Sequence, residues 1–476
     1  MNLPHQFISL TQELLGQSDS QNLIDSLIEE RPISIRLNQE KLGRYKVGIT
    51  GEGMLEIPWC RSGYYLDTRP TFTYDPLFHA GAYYVQEASS MFLDQVLKQY
   101  LRKENGLIAL DLCAAPGGKT TLLRSVLSAN SLLIANEIVS KRAHILSENL
   151  LKWGHSDVIV TNNASEDFTQ FSHLVDVIVA DVPCSGEGMF RKDEMAISEW
   201  SIENVEKCWV RQREIIKNIW PTLKPGGLLI YSTCTFNTKE NEENVSWIMN
   251  SLGAESLSVD MEESWKITNS FIDGQNSYRF FPHKTKGEGF FIAALRKSTC
   301  EEDLCQIVLP KEKKKKKKTA QEAITEHLFS VCSDWIKDDS KAYQSIIYND
   351  IFYVFPKKYL LYLQLFQKHK MHIIHAGTPI SYLKGKNCIP HQALALSNLL
   401  NPRLFESVEV SYQTAITFLR KEAIVLPAMT SKGFILITYK NMPLGFVKNI
   451  GNRSNNLYPS EWRIRSGYTP ERIVIL

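Results

Sequence analysis

Asp176-Val-Ile-Val-Ala-Asp181-Val-Pro-Cys184-Ser-Gly-Glu-Gly188 decides how the rest of the chain is read. Residues 177–180 form an apolar, mostly β-branched run that stops at the Asp181 carboxylate, and Pro183 then forbids further strand pairing. A continuous apolar run marks a strand buried on both faces, as in parallel sheets. Such a strand delivers an acid and a thiol to its C-terminal edge, and in open α/β sheets ligands bind in the crevice beyond those edges. Pro183 fixes its own φ and biases Val182 toward an extended conformation, which aims Cys184. Gly186 and Gly188 permit positive φ or close backbone approach. A single strand-end cysteine is more often a buried structural residue. Its neighbours elsewhere in the chain reverse those odds.

Outward from this strand the same rhythm repeats. Apolar strands are predicted over 107–113, 132–136 and 158–161 before it and over 227–233 after it, with helices over 116–127, 141–153 and 203–223 between them. Alternating βα units of this length specify a doubly wound, mostly parallel sheet. Residues 278–296 hold two strand-like segments around 283–289, expected to finish that sheet as an antiparallel pair.

Between the first strand and its helix runs Asp111-Leu-Cys113-Ala-Ala-Pro-Gly-Gly-Lys119-Thr-Thr121. A P-loop requires glycine where Cys113 stands, and a Gly-x-Gly-x-x-Gly turn is absent. What remains, Cys113, Ala114, Ala115, Pro116, Gly117, Gly118 and Lys119, is a tight glycine turn at a helix N-terminus, suited to a carboxylate or ribose. Glu137 closes the second strand, where an acid accepts hydrogen bonds from ribose hydroxyls. Turn, acid after the second strand, polar Asn163 after the third and Asp181 at the fourth is the order expected of an S-adenosylmethionine site. The pattern alone also admits a generic nucleotide site.

At 476 residues the chain exceeds one comfortable hydrophobic core, so two or three domains are expected. No apolar run reaches the ~20 residues that cross a bilayer, and the start, Met-Asn-Leu-Pro-His-Gln, lacks the features of a signal peptide. The nine cysteines are odd in number, scattered and without Cys-x-x-Cys, which argues against a disulfide framework and a structural zinc. A cytoplasmic monomer without membrane or metal is the expectation. Residues 351–476 hold sixteen Lys and Arg against five Asp and Glu, a balance of +11 that leaves −9 for residues 1–350. Such asymmetry points to a polyanion meeting the C-terminal part. Residues 311–318, seven lysines and one glutamate, read as a self-repelling linker that either only spaces the flanking parts or also touches phosphate. At the other end, 4–29 reads as two short amphipathic helices split by Gly16. Residues 31–38 alternate as an edge strand does, with Arg31 and Arg36 within reach of phosphate or simply solvated.

The cofactor turn, Asp181-Val-Pro-Cys-Ser-Gly-Glu-Gly-Met-Phe-Arg-Lys-Asp193 and Tyr231-Ser-Thr-Cys-Thr-Phe236 together resemble the RNA cytosine-5 methyltransferases of the NOP2/Sun family. Within it the likeness is to bacterial enzymes acting on small-subunit ribosomal RNA. It extends over nearly the whole chain, through 31–38, 86–90, Gly287-Glu-Gly-Phe-Phe291, Pro443-Leu-Gly-Phe446 and Asn456-Leu-Tyr-Pro459. The resemblance implies a Rossmann-like class I methyltransferase sheet with an N-terminal extension and a C-terminal PUA-like RNA-binding module. It implies that the 113–119 loop, Glu137, the residue at 163 and Asp181 contact S-adenosylmethionine. The family usually has an acid near 163, and Asn163 can still hydrogen-bond the adenine amine. It further implies methylation of cytosine C5 through a covalent cysteine–C6 adduct. Cys234, in the Thr-Cys motif, is then the nucleophile, and Cys184, in Pro-Cys, helps release the product. Asp181 accepts from the cytosine N4 amine, and Lys119 biases charge and thiol ionisation. Ribosomal RNA or the small ribosomal subunit is the expected partner. A transfer-RNA enzyme with the same core, and an assembly factor that has lost its chemistry, are the competing readings; no expected catalytic residue is missing.

The domain plan that follows is an RNA-contacting extension (1–75), a methyltransferase domain (76–300), a lysine-rich linker (301–320), an intermediate α+β segment (321–390) and the PUA-like domain (391–476). Removing 321–476 is expected to leave cofactor binding intact.

Overall fold

The computed structural model describes residues 3–49, 53–101, 104–299, 332–337, 340–384, 387–467 and 473–476. The lysine run and the whole expected linker lie outside them.

Helix α1 (His5–Ser26) breaks at Gly16 (φ 77°, ψ 168°), where the two expected helices meet. Next come β1 (Ile33–Leu37), α2 (Gln39–Tyr45), β2 (Met54–Ile57), β3 (Cys60–Leu66), α3 (Pro76–His79) and β4 (Tyr83–Val85). The four strands form an antiparallel sheet in the order β2-β3-β1-β4. The edge-strand reading of 31–38 is therefore corrected: β1 is interior, and Arg36 is only 1% exposed. Its guanidinium donates to Gln86 Oε1 at 2.8 Å and to Thr121 Oγ1, and it stacks 4.6 Å from the Trp153 ring centroid. Alternation misleads here because both faces of β1 are covered. Ile35 and Leu37 face one apolar cluster, while Arg36 faces the helices of the next domain, out of reach of any phosphate.

Then follow α4 (Leu93–Leu101), β5 (Ile108–Asp111), α5 (Gly118–Val126), β6 (Leu132–Asn136), α6 (Ser140–Trp153), β7 (Val158–Thr161) and β8 (Val175–Asp181). The domain continues with α7 (Glu194–Glu199), α8 (Ile202–Ile219), β9 (Leu223–Thr233), α9 (Glu242–Leu252), β10 (Ala254–Leu257), β11 (Thr268–Asn269), β12 (Tyr278–Phe280) and β13 (Phe290–Lys297). Strands β5 to β9 are parallel in the order β7-β6-β5-β8-β9, and β13 closes on β9 antiparallel. The chain leaves β5 for β6 on one side and comes back to β8 on the other, so the strand order reverses at β5. That reversal opens a crevice beyond the C-terminal edges.

Beyond the linker, β14 (Tyr343–Tyr348) and β15 (Ile351–Pro356) make a hairpin. Strand β16 (Ile373–Ala376) then returns to the large sheet and pairs antiparallel with β7, giving ten strands among the described residues. Strands β17 (Thr378–Lys384) and β18 (Asn387–Pro390) complete a four-stranded sheet with the hairpin. The last sheet is β19 (Glu406–Glu409), β20 (Gly433–Tyr439), β21 (Met442–Asn449) and β22 (Ser454–Asn456). Its core is not separate: Ile416, Phe418, Ile437, Leu444 and Tyr458 cluster with Ile35, Leu37 and Tyr83 of the N-terminal part. Residues 321–476 thus supply the outer neighbour of β7 and part of a shared core, so removing them takes away pieces of the main fold as well as the last sheet. No helix among the described residues is long and apolar enough to cross a membrane.

Candidate active site

The loops after β5, β6, β8 and β9 converge on a cleft of ≈ 760 Å³ lined by Cys113, Ala115, Glu137, Asp181, Cys184 and Cys234. On its cofactor side, the chain turns through a cis Ala115–Pro116 peptide and Gly117 at φ 117°, a conformation that favours glycine. Ala114 N–H donates to Asn136 O at 2.8 Å, and Thr120 Oγ1 donates to Asp111 Oδ2 at 2.7 Å, which ties the turn to β5 and β6. Ala114, Gly117 and Gly118 shape the turn from behind the cleft lining, and Pro116 is exposed on it. No side chain caps α5. The amides of its first turn therefore lack intrahelical acceptors and suit a ligand carboxylate.

Glu137 is 2% exposed; its Oε1 accepts from Val139 N–H at 2.9 Å. Arg142, which the sequence did not single out, lies 3.5 Å from Glu137 Oε2 and donates to Ala115 O at 2.7 Å. It locks the acid to the turn. Ile138, 63% exposed, and Val139 add an apolar wall beside that acid. Open helix amides, a buried acid and an apolar wall fit the carboxylate, ribose and adenine of S-adenosylmethionine.

Asn163 departs from expectation. Its Oδ1 accepts from His372 N–H at 2.9 Å and its Nδ2 donates to His372 O at 3.1 Å. Both polar ends are spent on the backbone that leads into β16, and the side chain does not line the cleft; Ser165 and Glu166 stand there instead. The polar residue after the third strand is there, and its side chain bonds a later part of the chain.

Across the cleft, Cys184 Sγ and Cys234 Sγ are 3.0 Å apart, and Cys234 N–H donates to Cys184 Sγ at 3.3 Å. The hydrogen bond with Cys234, then burial, then the charges of Cys234 and Glu240 hold the Cys184 thiol well above its ordinary pKa. Cys184 is thus held toward its protonated form, within hydrogen-bond distance of the Cys234 sulfur. Burial likewise pushes the Cys113 thiol up, so it is inert as a nucleophile. Lys119 Nζ donates to Asp181 Oδ2 at 2.8 Å, and Ser232 Oγ donates to Asp181 Oδ1 at 2.7 Å. Burial works against the Lys119 charge, but Asp181, with Cys234 and Asp111, outweighs it and raises the pKa, so Lys119 is a fixed cation. Ser232 is a second contributor that the sequence reading missed; two residues before Cys234 in β9, it shares the strand's register with Asp181.

Residues 98–296 match the family model of 16S rRNA methyltransferase RsmB/F, residues 3–88 the N-terminal domain of 16S rRNA methyltransferase RsmF, and residues 405–464 the methyltransferase RsmF PUA domain. The ribosomal RNA small subunit methyltransferase F of Aliivibrio fischeri (strain MJ11) is 29% identical over 484 residues, 96% of this chain and 97% of its own length. Its counterpart in a second strain of that species is 30% identical over 422 residues, 85% of each chain. A crystal structure of a methyltransferase homolog protein from Pyrococcus horikoshii superposes on 61% of this chain and 94% of its own, with a TM-score of 0.52 and 28% identity. The cofactor of this fold and family is S-adenosylmethionine. The chain, matched along nearly all of its length, belongs to the ribosomal RNA small subunit methyltransferase F family.

Proposed function

We propose that the protein methylates C5 of a cytosine in small-subunit ribosomal RNA through a covalent bond between Cys234 and C6. The observation that carries this reading is the sulfur pair, 3.0 Å apart at the ends of adjacent parallel strands and beside the Lys119–Asp181 ion pair. Cytosine C5 is too weak a carbon nucleophile to take a methyl group unaided. Attack of the Cys234 thiolate on C6 forms the S–C6 bond and converts the ring to an enamine, which makes C5 nucleophilic. Asp181 accepts from the N4 amine, and the Lys119 cation stabilises the charge gathered on the ring edge. The 113–119 turn, Glu137 and the Ile138 wall hold S-adenosylmethionine, which supplies an electrophilic methyl group. Once C5 carries that methyl, its proton leaves and the C6–S bond breaks, returning the electron pair to Cys234.

The second half suits Cys184. Before attack, the Cys234 sulfur is the largest cause holding the Cys184 proton. Bonded to C6, Cys234 no longer accepts that proton; Cys184 then releases it to solvent in the open cleft and, as the thiolate, takes the C5 proton. The basic C-terminal part and the family of its relatives support ribosomal RNA as the polyanion. Bisulfite sequencing of RNA from cells with and without the gene tests the assignment. A small-subunit cytosine should lose its protection in the deletion; loss confined to transfer RNA, or none at all, would overturn the reading.

A further inference from the structure

Two buried carboxylates stand behind the sulfur pair and have no role in the steps above. Glu187 is 2% exposed and Glu240 0%. Glu187 follows Cys184 in the loop after β8, yet it grips the loop after β9: its Oε2 accepts from Phe236 N–H at 2.7 Å and Asn237 N–H at 2.9 Å. Its Oε1 accepts from Trp200 Nε1 at 3.0 Å and Asn237 Nδ2 at 3.1 Å. Glu240 follows Cys234, yet it grips the loop after β8. Its Oε2 accepts from Ser185 N–H at 3.0 Å and Gln212 Nε2 at 2.7 Å; its Oε1 accepts from Ser185 Oγ and, at 2.8 Å, from Asn237 Nδ2.

Each thiol loop is thus held by an acid from the other, and the Asn237 amide bridges both acids. Gly188 N–H donates to Cys234 O at 2.9 Å and closes the same seam. Buried carboxylates persist where several donors satisfy them, and donor sets this complete fix geometry more tightly than apolar packing does.

We infer that Glu187 and Glu240 form a reciprocal clamp, two positioning residues that keep the Cys184 and Cys234 sulfurs in hydrogen-bond register and so decide which of them is the nucleophile. The inference rests on the assignment of these two cysteines as the reacting thiols. Its test needs no RNA, so it stands apart from the test of that assignment. The full chain is treated with iodoacetamide across about pH 6–10, and alkylation of each cysteine is followed by peptide mass spectrometry. In the native protein Cys234 should react about tenfold faster than Cys184 near neutral pH, since Cys184 is held toward its thiol form. Glu187→Gln and Glu240→Gln keep side-chain shape but turn one acceptor into a donor. Each should bring the two rates to within about threefold and draw their pH profiles together, with S-adenosylmethionine affinity unchanged.

Asp157→Asn serves as the control. This buried acid, just before β7, pairs with Arg124 on α5, and its loss should lower the melting temperature without moving the ratio. Native ratios and profiles in either glutamine variant would overturn the clamp. So would a collapse of the ratio in Asp157→Asn, which would make the effect one of general stability. An RNA adduct on Cys184 instead of Cys234 would reverse the chemical roles, and the alkylation result would still report what holds the sulfurs.

Discussion

The Cys234 sulfur, together with burial, holds Cys184 toward its thiol form, and the different places of the two sulfurs make their alanine mutants separable. Cys234→Ala removes the attacking atom and should give neither covalent RNA adduct nor product. Cys184→Ala leaves attack and methyl transfer possible but removes the group placed to take the C5 proton. It should accumulate an adduct that survives denaturing electrophoresis; an adduct that instead appears in Cys234→Ala and vanishes in Cys184→Ala would reverse the two roles. Glu137 and Asn163 separate in the same way. Glu137→Ala should weaken S-adenosylmethionine binding by about 1.5–3 kcal/mol, the scale of hydrogen bonds to a charged group. Asn163→Ala should leave that affinity nearly unchanged and lower unfolding stability by about 1–3 kcal/mol, because it strands the His372 N–H, while His372 O keeps its bond from Asn162 N–H. Calorimetry of cofactor binding with urea titration of both variants decides the pair.

Among elements, the two loops that carry the thiols meet at a glycine contact. A Cβ on Gly188 would lie 2.6 Å from Gly289 O and 2.9 Å from Cys234 O, both backbone atoms that yield only if the loops part. Gly188→Ala should therefore lower stability by about 1–3 kcal/mol and methyl transfer by at least about tenfold, with cofactor affinity kept; unchanged single-turnover rates would contradict it. The parallel strands were legible from sequence because double burial writes itself as continuous apolar runs; β6, β7 and the start of α6 fall within a residue of expectation. Gly186 at φ 75° and the Gly188 contact realise the two uses foreseen for those glycines. Arg36 was not legible, since a charge in an alternating strand looks solvated until the element covering it is known. Nor was β16, because its partner β7 is set by a pairing across most of the domain, and four residues carry no local sign of it. The same distance hid the His372 contact of Asn163.

For the molecule as a whole, the joints between its parts carry buried histidines. His79 contacts Tyr458 at 3.5 Å, His375 on β16 bonds Ser147 on α6 at 2.8 Å, and His391 stacks 4.4 Å from Tyr382. Burial lowers their pKa values to about 3, about 4 and about 3, and it holds His155 well below the usual range too. These groups stay neutral in the folded chain while the unfolded chain protonates them near pH 6.5, so the unfolded state binds more protons below that point. Their contribution to stability is complete above about pH 6.5 and is lost as pH falls toward 4, at about 1.4 kcal/mol per pH unit for each proton. Asp111, raised to about 7 by burial, works in the opposite sense over the same window, and burial raises Asp75, Glu87, Asp157 and Glu240 as well. The histidine part is read residue by residue: NMR titration of the imidazoles should find His79, His375 and His391 still neutral at about pH 5, and protonation near 6.5 would mean that they are solvated. The strand that seals β7 also has a bearing on how the protein is made. During synthesis the bare edge of β7 emerges long before β16 exists, and translation from residue 161 to 376 takes roughly 10–40 s at ~5–20 residues per second. Throughout that time the nascent chain offers unpaired amides and carbonyls to any passing strand, so newborn copies need shielding until the tail arrives to close the sheet.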